Sequence, residues 1–236
     1  MVNYKNYLNC EEMKILFIIL LTTMIFPFNL FSQKKCSEEI QIAINNGDLE
    51  LVKKMIKNGE NIDCIGEWKQ TLLMKAIQAG KENIALYLIN KNADITKVDE
   101  DNSSAFFKTS FYGLTNIAKI LLDKGVDINQ KGYREMTTLM MASSRNQLDL
   151  VKFLIKKGAK INVQCNSGYT ALTYASNPEI FSFLLKNNAN VNLRNFEGLN
   201  TIEQFKASHE EAKGFENQEL IDNYEKIISI LENEKH

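Results

Sequence analysis

The sequence predicts an all-α solenoid in which helix–turn–helix units stack side by side and are joined by β-hairpin-like loops. Three observations lead to this prediction: a repeat of 33 residues, capping residues at fixed places in each repeat, and helices too short to be stable alone. Copies that begin at Thr71, Ser104 and Thr137 follow one another without a gap, and a fourth, from Thr170, is three residues shorter. With further copies upstream and downstream, the array holds about five to six units.

The segment before the repeats has the pattern of a secretory signal peptide. An apolar run, Ile15–Phe26, follows Lys14, and the wider segment 15–31 is marginal in length for crossing a bilayer. We assign residues 1–32 to a cleaved signal peptide and 33–37 to a short linker, and expect a periplasmic or secreted protein. Two alternatives stay open: translation that begins at Met13, and an uncleaved segment that anchors the protein in a membrane, facing the exterior.

The first helix of each unit follows a hydroxyl side chain, which can accept an orphan backbone N–H. The predicted N-caps are Thr71, Ser104, Thr137 and Thr170. The helix then carries an apolar residue and, three positions later, a small residue that lets another helix approach. These pairs are Leu73 and Ala76, Phe106 and Thr109, Leu139 and Ala142, and Leu172 and Ala175.

The second helix of each unit has one apolar face, as at Ile84, Leu88 and Ile89. It is expected to end at a residue that tolerates the left-handed conformation. The predicted ends are Gly59, Asn92, Gly125, Gly158 and Asn188. A β-branched residue three positions later predicts a brief extended segment. These residues are Ile62, Ile95, Ile128, Ile161 and Val191.

Both ends of the array carry features of caps. Ser37 precedes Glu38 and Glu39, a pattern that predicts an N-cap with acidic residues in the first turn. After a polar insertion, a final helix presents one apolar face to the array, made by Leu220, Ile221, Tyr224, Ile227, Ile228 and Leu231. The predicted units are 38–66, 67–99, 100–132, 133–165 and 166–195, followed by a C-terminal cap, 196–236.

These residues resemble the ankyrin repeat. The family pattern T-P-L-H-x-A, followed by I/V-V-x-x-L-L and G-A, is similar to TLLMKA from Thr71 and LVKFLIKKGA from Leu150. The resemblance covers residues 38–232 and implies an ankyrin-repeat solenoid over residues 38–236.

Three features of the family pattern are missing. Its proline is replaced by Leu72, Ala105, Thr138 and Ala171. Its histidine, and with it the hydrogen bonds that histidine makes between repeats, is replaced by Met74, Phe107, Met140 and Thr173. Its hairpin glycine is kept at Gly168 and Gly198 but replaced by Lys69, Asn102 and Glu135. These departures bear on the geometry of the loops and not on the stack.

No catalytic or metal-binding pattern accompanies the repeats, so we expect no enzyme activity, no cofactor and no metal. The two histidines, His209 and His236, are expected to be solvated, and the acidic stretch 99–101 to be a solvated loop rather than a Ca²⁺ site. Lys and Arg number 28 against 29 Asp and Glu, and this balance does not favour nucleic acid or an anionic membrane as a partner.

Three cysteines lie beyond the predicted signal peptide: Cys36, Cys64 and Cys165. An odd number excludes a complete disulfide framework. One disulfide is compatible with an oxidising compartment, but we favour three unpaired thiols that pack as small apolar residues.

The resemblance also implies where a partner would bind. Ankyrin repeats recognise proteins through the hairpin tips and the concave side of the first helices. Carried onto this sequence, the family's variable positions include Gln78, Ala79, Ser103, Met136, Ser144, Asn166, Ser167 and Glu197. The family's other variable positions are the predicted partner contacts: Glu67, Trp68, Gln70, Glu100, Asp101, Phe111, Tyr112, Tyr133, Arg134, Arg145, Tyr169 and Phe196. For Phe111 and Phe196, a structural role inside the loops is an equal alternative.

The predicted function is therefore an exported, non-enzymatic module that binds a protein partner. We expect a monomer with no nucleic-acid partner, and a membrane association only if the N-terminal segment stays uncleaved. The alternative function is a dedicated inhibitor or immunity-type protein for a toxin or a stress enzyme, which rests on analogy of fold.

Overall fold

Pairs of short helices fill most of the chain in this computed structural model, which describes residues 35–214 and 217–233. Over those ranges the helices are α1 Glu38–Asn46, α2 Leu49–Lys57, α3 Leu72–Gln78, α4 Glu82–Asn90, α5 Ala105–Lys108, α6 Thr115–Asp123, α7 Thr138–Ser144, α8 Leu148–Lys156, α9 Pro178–Lys186, α10 Thr201–Gly214 and α11 Gln218–Asn233. Extended structure is limited there to isolated bridges between single residues. The predicted all-α solenoid is confirmed.

Three of the four predicted N-caps are confirmed. Thr71 Oγ1 accepts the backbone N–H of Met74 at 3.2 Å. The same bond, to the N–H three residues later, is made by Ser104 and Thr137, and it satisfies a donor that the helix itself leaves free. Thr170 makes the same bond but caps no helix, because a turn follows it.

Three of the four residues in place of the family's histidine belong to the core. Met74, Phe107 and Met140 are buried, whereas Thr173 is half-buried. In the fourth unit part of the lost hydrogen bonding returns, because Met140 Sδ accepts the backbone N–H of Thr137 at 3.4 Å. Apolar packing between units therefore takes the place of the family's polar contact.

The five predicted ends of the second helices are left-handed. The φ angles are 99°, 60°, 91°, 89° and 66° at Gly59, Asn92, Gly125, Gly158 and Asn188. The β-branched residue three positions later is not extended as predicted: it lies in a turn or bend and packs against the core. In four units a side-chain oxygen of the preceding residue accepts the N–H two positions further on, which turns the chain. Those residues are Asn61, Asp94, Asp127 and Asn190.

The shortened fifth unit lacks its first helix. Residues 171–174 form a turn, and the next helix is α9. The prediction of two helices in every unit is wrong here, because the three missing residues amount to most of a helical turn. Leu172 and Ala175 nevertheless stay buried, so the turn fills the same place in the core.

A disulfide joins the start of the first unit to its end. Cys36 and Cys64 are bonded, with Cα atoms 5.0 Å apart, whereas Cys165 is free and buried. The expectation of three unpaired thiols is therefore wrong. The Cys36 N–H donates to the Ile65 carbonyl at 3.1 Å, and this pairing brings the two cysteines together.

The N-terminal helix begins without the predicted side-chain cap. Ser37 stands directly before α1, but its hydroxyl makes no capping bond. Its backbone N–H donates instead to a Glu60 carboxylate oxygen at 2.9 Å, which turns Ser37 towards the loop after α2. The acidic first turn, Glu38 and Glu39, is as predicted.

Two longer helices close the other end of the array. Helix α11 packs along α10 and contacts α9. Ile227 and Leu231 are buried, and the Phe205 ring on α10 makes edge contacts with Phe181 and Tyr224 at centroid distances of 5.2 and 5.7 Å. The predicted sealing helix is thus present, and the polar insertion forms much of α10.

His209 is not solvated as expected. Its side chain lies between α10 and α11, with Nε2 at 3.4 Å from a Glu225 carboxylate oxygen. His236 lies outside the described residues, as do the predicted signal peptide and the alternative start at Met13. Over residues 35–214 and 217–233, no three His, Cys, Asp or Glu side chains form a metal-binding group. No helix in those ranges has both the length and the apolar character needed to span a bilayer.

Candidate partner-binding face

Five hairpin tips precede the helices of successive units, and each is closed by one backbone hydrogen bond to the carbonyl four residues later. The donors are Gly66, Asp99, Gly132, Cys165 and Asn195, with lengths from 2.8 to 3.1 Å. At the hairpin-glycine position φ runs from 56° at Lys69 to 80° at Gly198. The loop geometry thus survives the replacement of glycine at three of the five tips. We call residues 67–70, 100–103, 133–136, 166–169 and 196–199 the tip row.

Two tips contain a second left-handed residue. Trp68 and Arg134 have φ angles of 56° and 53° and directly precede left-handed Lys69 and Glu135. Two left-handed central residues are the pattern of a type I′ turn, which usually takes Asn-Gly. A non-glycine residue costs about 1–2 kcal/mol in this conformation. Strained backbone of this kind concentrates at functional loops, and here it holds two of the predicted contacts.

Hydrogen bonds connect neighbouring tips. Backbone N–H groups donate to backbone carbonyls from Glu100 to Trp68 (3.0 Å), from Asn166 to Arg134 (3.3 Å) and from Phe196 to Ser167 (3.2 Å). Between the third and fourth units the acceptor is a side chain, because the Tyr133 N–H donates to Ser103 Oγ at 3.2 Å. These bonds hold predicted contacts of different units in one continuous row.

Four of the predicted aromatic contacts are exposed. Trp68 and Phe196 expose 69% and 80% of their surface, and Tyr112 and Tyr133 are also exposed. At such exposure, neither Trp68 nor Phe196 is packed into a loop core. Large apolar side chains left in water on an ordered backbone are the usual anchors of protein interfaces.

The remaining aromatic contacts are half-buried. Phe111 meets Phe107 edge to face at 6.4 Å, and the Arg145 guanidinium lies 5.0 Å from the centre of the Phe111 ring. Tyr169 packs against Tyr174 at 5.6 Å. The structural alternative therefore applies to Phe111, which supports its neighbours, and not to Phe196.

The predicted polar contacts divide into free and engaged side chains. Glu67, Glu100 and Asp101 are exposed. Gln70 Nε2 donates to Gln78 at 2.9 Å, and Arg134 lies over the Tyr133 ring at 5.1 Å. Two positions carried over from the family, Ser103 and Met136, are buried and unavailable to a partner, since Ser103 bonds the next tip and Met136 closes its own hairpin.

The acidic tip of the third unit is not wholly solvated as expected. Asp99 is buried and forms an ion pair with Lys108 at 2.7 Å. Its other carboxylate oxygen accepts the backbone N–H groups of Asp101 and Ser103 at 3.0 and 2.8 Å. Lys108 Nζ also reaches Gln78 at 3.2 Å. Asp99 therefore links the hairpin to α5, the first helix of the third unit. Of the three acidic residues, only Glu100 and Asp101 face solvent.

A polar cavity of about 470 Å³ lies between the fifth unit and the two C-terminal helices. Its lining includes hydroxyl groups from both sides, among them Thr173, Ser176, Ser208 and Tyr224. Ser144, Tyr169 and Glu197 were singled out by the family positions, but the C-terminal side of the cavity was missed. Its only trace in the sequence is the three-residue deletion combined with the polar insertion.

The repeats match a known family. Residues 40–132 and 131–195 match the model for ankyrin repeats in three copies. The chain belongs to the ankyrin repeat family. The match covers the whole repeat array from the first helix to the shortened unit, while α10 and α11 lie outside it. No curated protein sequence matches the chain.

Many solved structures share the ankyrin fold of this chain, and 602 chains match it. One of them comes from a complex described as the predatory endopeptidase Bd0816 from Bdellovibrio bacteriovorus with the immunity protein Bd3460. That match has a TM-score of 0.65 and 24% sequence identity, and it covers 81% of this chain and 99% of the other. At this identity the likeness shows a common fold. Ankyrin repeats are an interaction fold, so a protein partner is expected for this chain as well.

Proposed function

We propose that this ankyrin-repeat protein is an exported, non-enzymatic module that binds a protein partner through its tip row and the adjoining helix face. The observation that carries the proposal is the pair of exposed aromatic side chains, Trp68 and Phe196, on tips joined by hydrogen bonds. A preorganised backbone lowers the entropy cost of binding. The proposed state is a monomer, because α10 and α11 cover the apolar side of the last repeat.

Partner capture tests this proposal. Immobilised protein is exposed to a periplasmic extract of the native organism, and the retained proteins are identified by mass spectrometry. We expect Trp68→Ala and Tyr133→Ala to lower retention of a specific partner about tenfold or more, as for interface anchors that cost at least about 2 kcal/mol. Ile42→Ala is the matched control, because Ile42 is an exposed apolar residue on α1, away from the tips. Equal retention by all variants would reject the face.

Export is supported by two independent features. The N-terminal segment has the pattern of a signal peptide, and the Cys36–Cys64 disulfide is of the kind that persists in oxidising compartments. Fractionation of the native organism with N-terminal sequencing of the protein tests the assignment. A mature chain that starts near residue 33 in the periplasm or medium supports it. An intact N-terminus in the membrane fraction would favour the anchored alternative, and recovery in the cytoplasm would reject export.

A second candidate is a dedicated inhibitor or immunity-type protein. It is favoured by one observation: a chain of the same fold is described as an immunity protein in complex with an endopeptidase. The captured partner decides between the two candidates. An enzyme whose turnover falls when wild-type protein is added, but not when Trp68→Ala is added, would support inhibition. A captured enzyme that keeps full turnover would leave only the interaction module.

A further inference from the structure

The cavity between the fifth unit and the C-terminal helices has the chemistry of a cation site. Two carboxylates, Glu197 and Glu211, lie at exposed positions of its wall. Among the described residues that line it, none is a lysine, an arginine or a histidine. The remaining polar groups are mainly hydroxyls, which can accept hydrogen bonds from a donor. Its volume, about 470 Å³, falls within the range of ligand pockets.

The wall also contains a buried hydrogen-bond acceptor without a partner. Gln204 is 8% exposed, and its Nε2 donates to the Leu199 carbonyl at 2.8 Å. That bond fixes the orientation of the amide, so the other atom is the oxygen. Gln204 Oε1 finds no donor among the described residues. A buried oxygen left unpaired costs about 1–3 kcal/mol, and the surface of this one is closed to solvent.

Two of the three phenols of the wall, Tyr174 and Tyr224, have raised pKa values and are neutral at physiological pH. Burial raises the pKa of Tyr174 above its usual value, and the nearby Arg134 guanidinium, the smallest of the influences, is the one that opposes the rise. Burial also raises the pKa of Tyr224, with a further rise from the Glu211 carboxylate, while a hydrogen bond with Ser208 opposes it. The charge of the wall therefore comes from its carboxylates, and it is negative.

We infer that this cavity receives a basic side chain, lysine or arginine, presented by the protein partner. The inference rests on the proposed function, because the cavity adjoins the tip row through Tyr169 and Glu197. A guanidinium or ammonium group has only donors, and it matches a wall of carboxylates and hydroxyls. The aromatic tips supply apolar anchors, and the cavity supplies a charge-specific one at the C-terminal end of the array.

A small probe separates this inference from the identity of the partner. N-acetyl-L-arginine methylamide, whose only charge is the guanidinium, is titrated into ¹⁵N-labelled protein. We expect the amide signals of Thr173, Ser176 and Ser208 to shift in a saturable way. The corresponding lysine derivative is expected to bind the same residues. The citrulline derivative has the same shape without the charge and is expected to shift these signals much less.

Matched variants test the role of charge. Glu197→Gln combined with Glu211→Gln should weaken binding of the arginine probe about twofold to thirtyfold, which is the conversion of two exposed ion pairs of about 0.2–1 kcal/mol each. Glu219→Gln is the control, because Glu219 is exposed on α11 and does not line the cavity. The amide spectrum of each variant reports whether it is folded.

Three outcomes would overturn the inference: no saturable shift at these residues, equal binding of the arginine and citrulline probes, or unchanged binding by the double variant. Tighter binding of N-acetylglucosamine than of arginine would also overturn it and assign the cavity to a sugar. None of these outcomes affects capture of a partner through Trp68. Conversely, capture that is unaffected by Trp68→Ala rejects the proposed face while probe binding can persist.

Discussion

At the scale of single residues, the tip of the third unit shows how an exposed loop is fastened from within. Asp99 lies in a stretch of three acidic residues, yet its side chain is as buried as the core. It neutralises Lys108 and accepts two backbone N–H groups of its own hairpin. A buried ion pair stabilises little relative to apolar residues, but removal of one partner leaves a charge without water.

Substitution of Lys108 tests this arrangement. Lys108→Met should lower the free energy of unfolding by about 3–5 kcal/mol, because it leaves Asp99 buried without its counter-charge. Lys53→Met is the control, since the Lys53–Glu50 pair is exposed and should contribute less than about 1 kcal/mol. Urea unfolding followed by circular dichroism measures both. Similar midpoints for the two variants would contradict the assigned role of Lys108.

Two glycines at equivalent tip positions form a second test. Gly168 and Gly198 have φ angles of 79° and 80°. A Cβ on Gly168 would come within 2.7 Å of Asn195 Cα, whereas a Cβ on Gly198 would meet nothing within 4 Å. We expect Gly198→Ala to cost about 1–2 kcal/mol from the left-handed backbone alone. Gly168→Ala should cost at least about 1 kcal/mol more. Equal thermal shifts would show that the two tips are not packed against each other.

At the scale of elements, two kinds of local signal were read correctly in most units, namely the hydroxyl caps of the first helices and the Gly or Asn ends of the second helices. The hydroxyl caps and the Gly or Asn helix ends depend on a few neighbouring residues, so their spacing predicts the units. Features that depend on distant contacts were misread. The first helix of the fifth unit, the burial of His209 and the Cys36–Cys64 disulfide all depend on what another part of the chain places beside them.

The candidate site was likewise predicted where it depends on local sequence and missed where it depends on distant contacts. The exposed tips follow from the repeat register, and Trp68 was placed correctly among them. The cavity is formed by a deletion in one unit and an insertion in the next, which a repeat pattern cannot describe. Its negative wall includes Glu211, which has no counterpart in the other units.

Among the described residues, the N-terminal unit packs against one neighbouring unit, and the disulfide adds to what this packing provides. The bonded cysteines are 28 residues apart. Cys36→Ser combined with Cys64→Ser should lower stability by about 2–4 kcal/mol. Hydrogen exchange should quicken in α1 and α2 and change little in α7 and α8. Reductant should reproduce the effect in the wild type and do nothing to the double variant. Uniform acceleration along the chain would contradict a local role.

Two half-buried phenols, Tyr174 in the fifth unit and Tyr224 on α11, should make the protein sensitive to alkali. The folded-state pKa values of Tyr174 and Tyr224 lie above the ordinary value of 10.0. Their contribution to stability is therefore complete below pH 10 and is lost as the pH rises through the folded-state values. We expect the free energy of unfolding to fall above pH 10. The fall should be shallower in Tyr174→Phe combined with Tyr224→Phe. Tyr112→Phe, at an exposed position, should leave the slope unchanged, and an unchanged slope in the double variant would refute the assignment.

At the scale of the whole molecule, stability is close to a sum over neighbouring units, because each unit of a solenoid contacts only the units beside it. The C-terminal pair, α10 and α11, covers the apolar side of the last repeat. Ile227 and Leu231 are the buried residues of α11, so they fix this cap to the array.

Substitutions that weaken that cap should destabilise the nearby units more than the distant ones. Ile227→Ala and Leu231→Ala are each expected to cost about 2–5 kcal/mol. Hydrogen exchange should quicken most in α9, α10 and α11, less in α7 and α8, and least in α1. Ile221→Ala, at a half-buried position of α11, is the control and should have the smaller effect. Equal acceleration at both ends of the array would show that the chain unfolds as one cooperative block.

The bonds between the tips have a consequence for how this protein can change its specificity. Three of the four connections use only main-chain atoms, so almost any substitution of the outward side chains leaves them intact. Mutation or engineering can therefore change which partner is bound and still leave these hydrogen bonds between the tips in place. The exception is Ser103, whose hydroxyl is itself the acceptor. Because Ser103 is buried, that position is constrained by the scaffold and not by the partner.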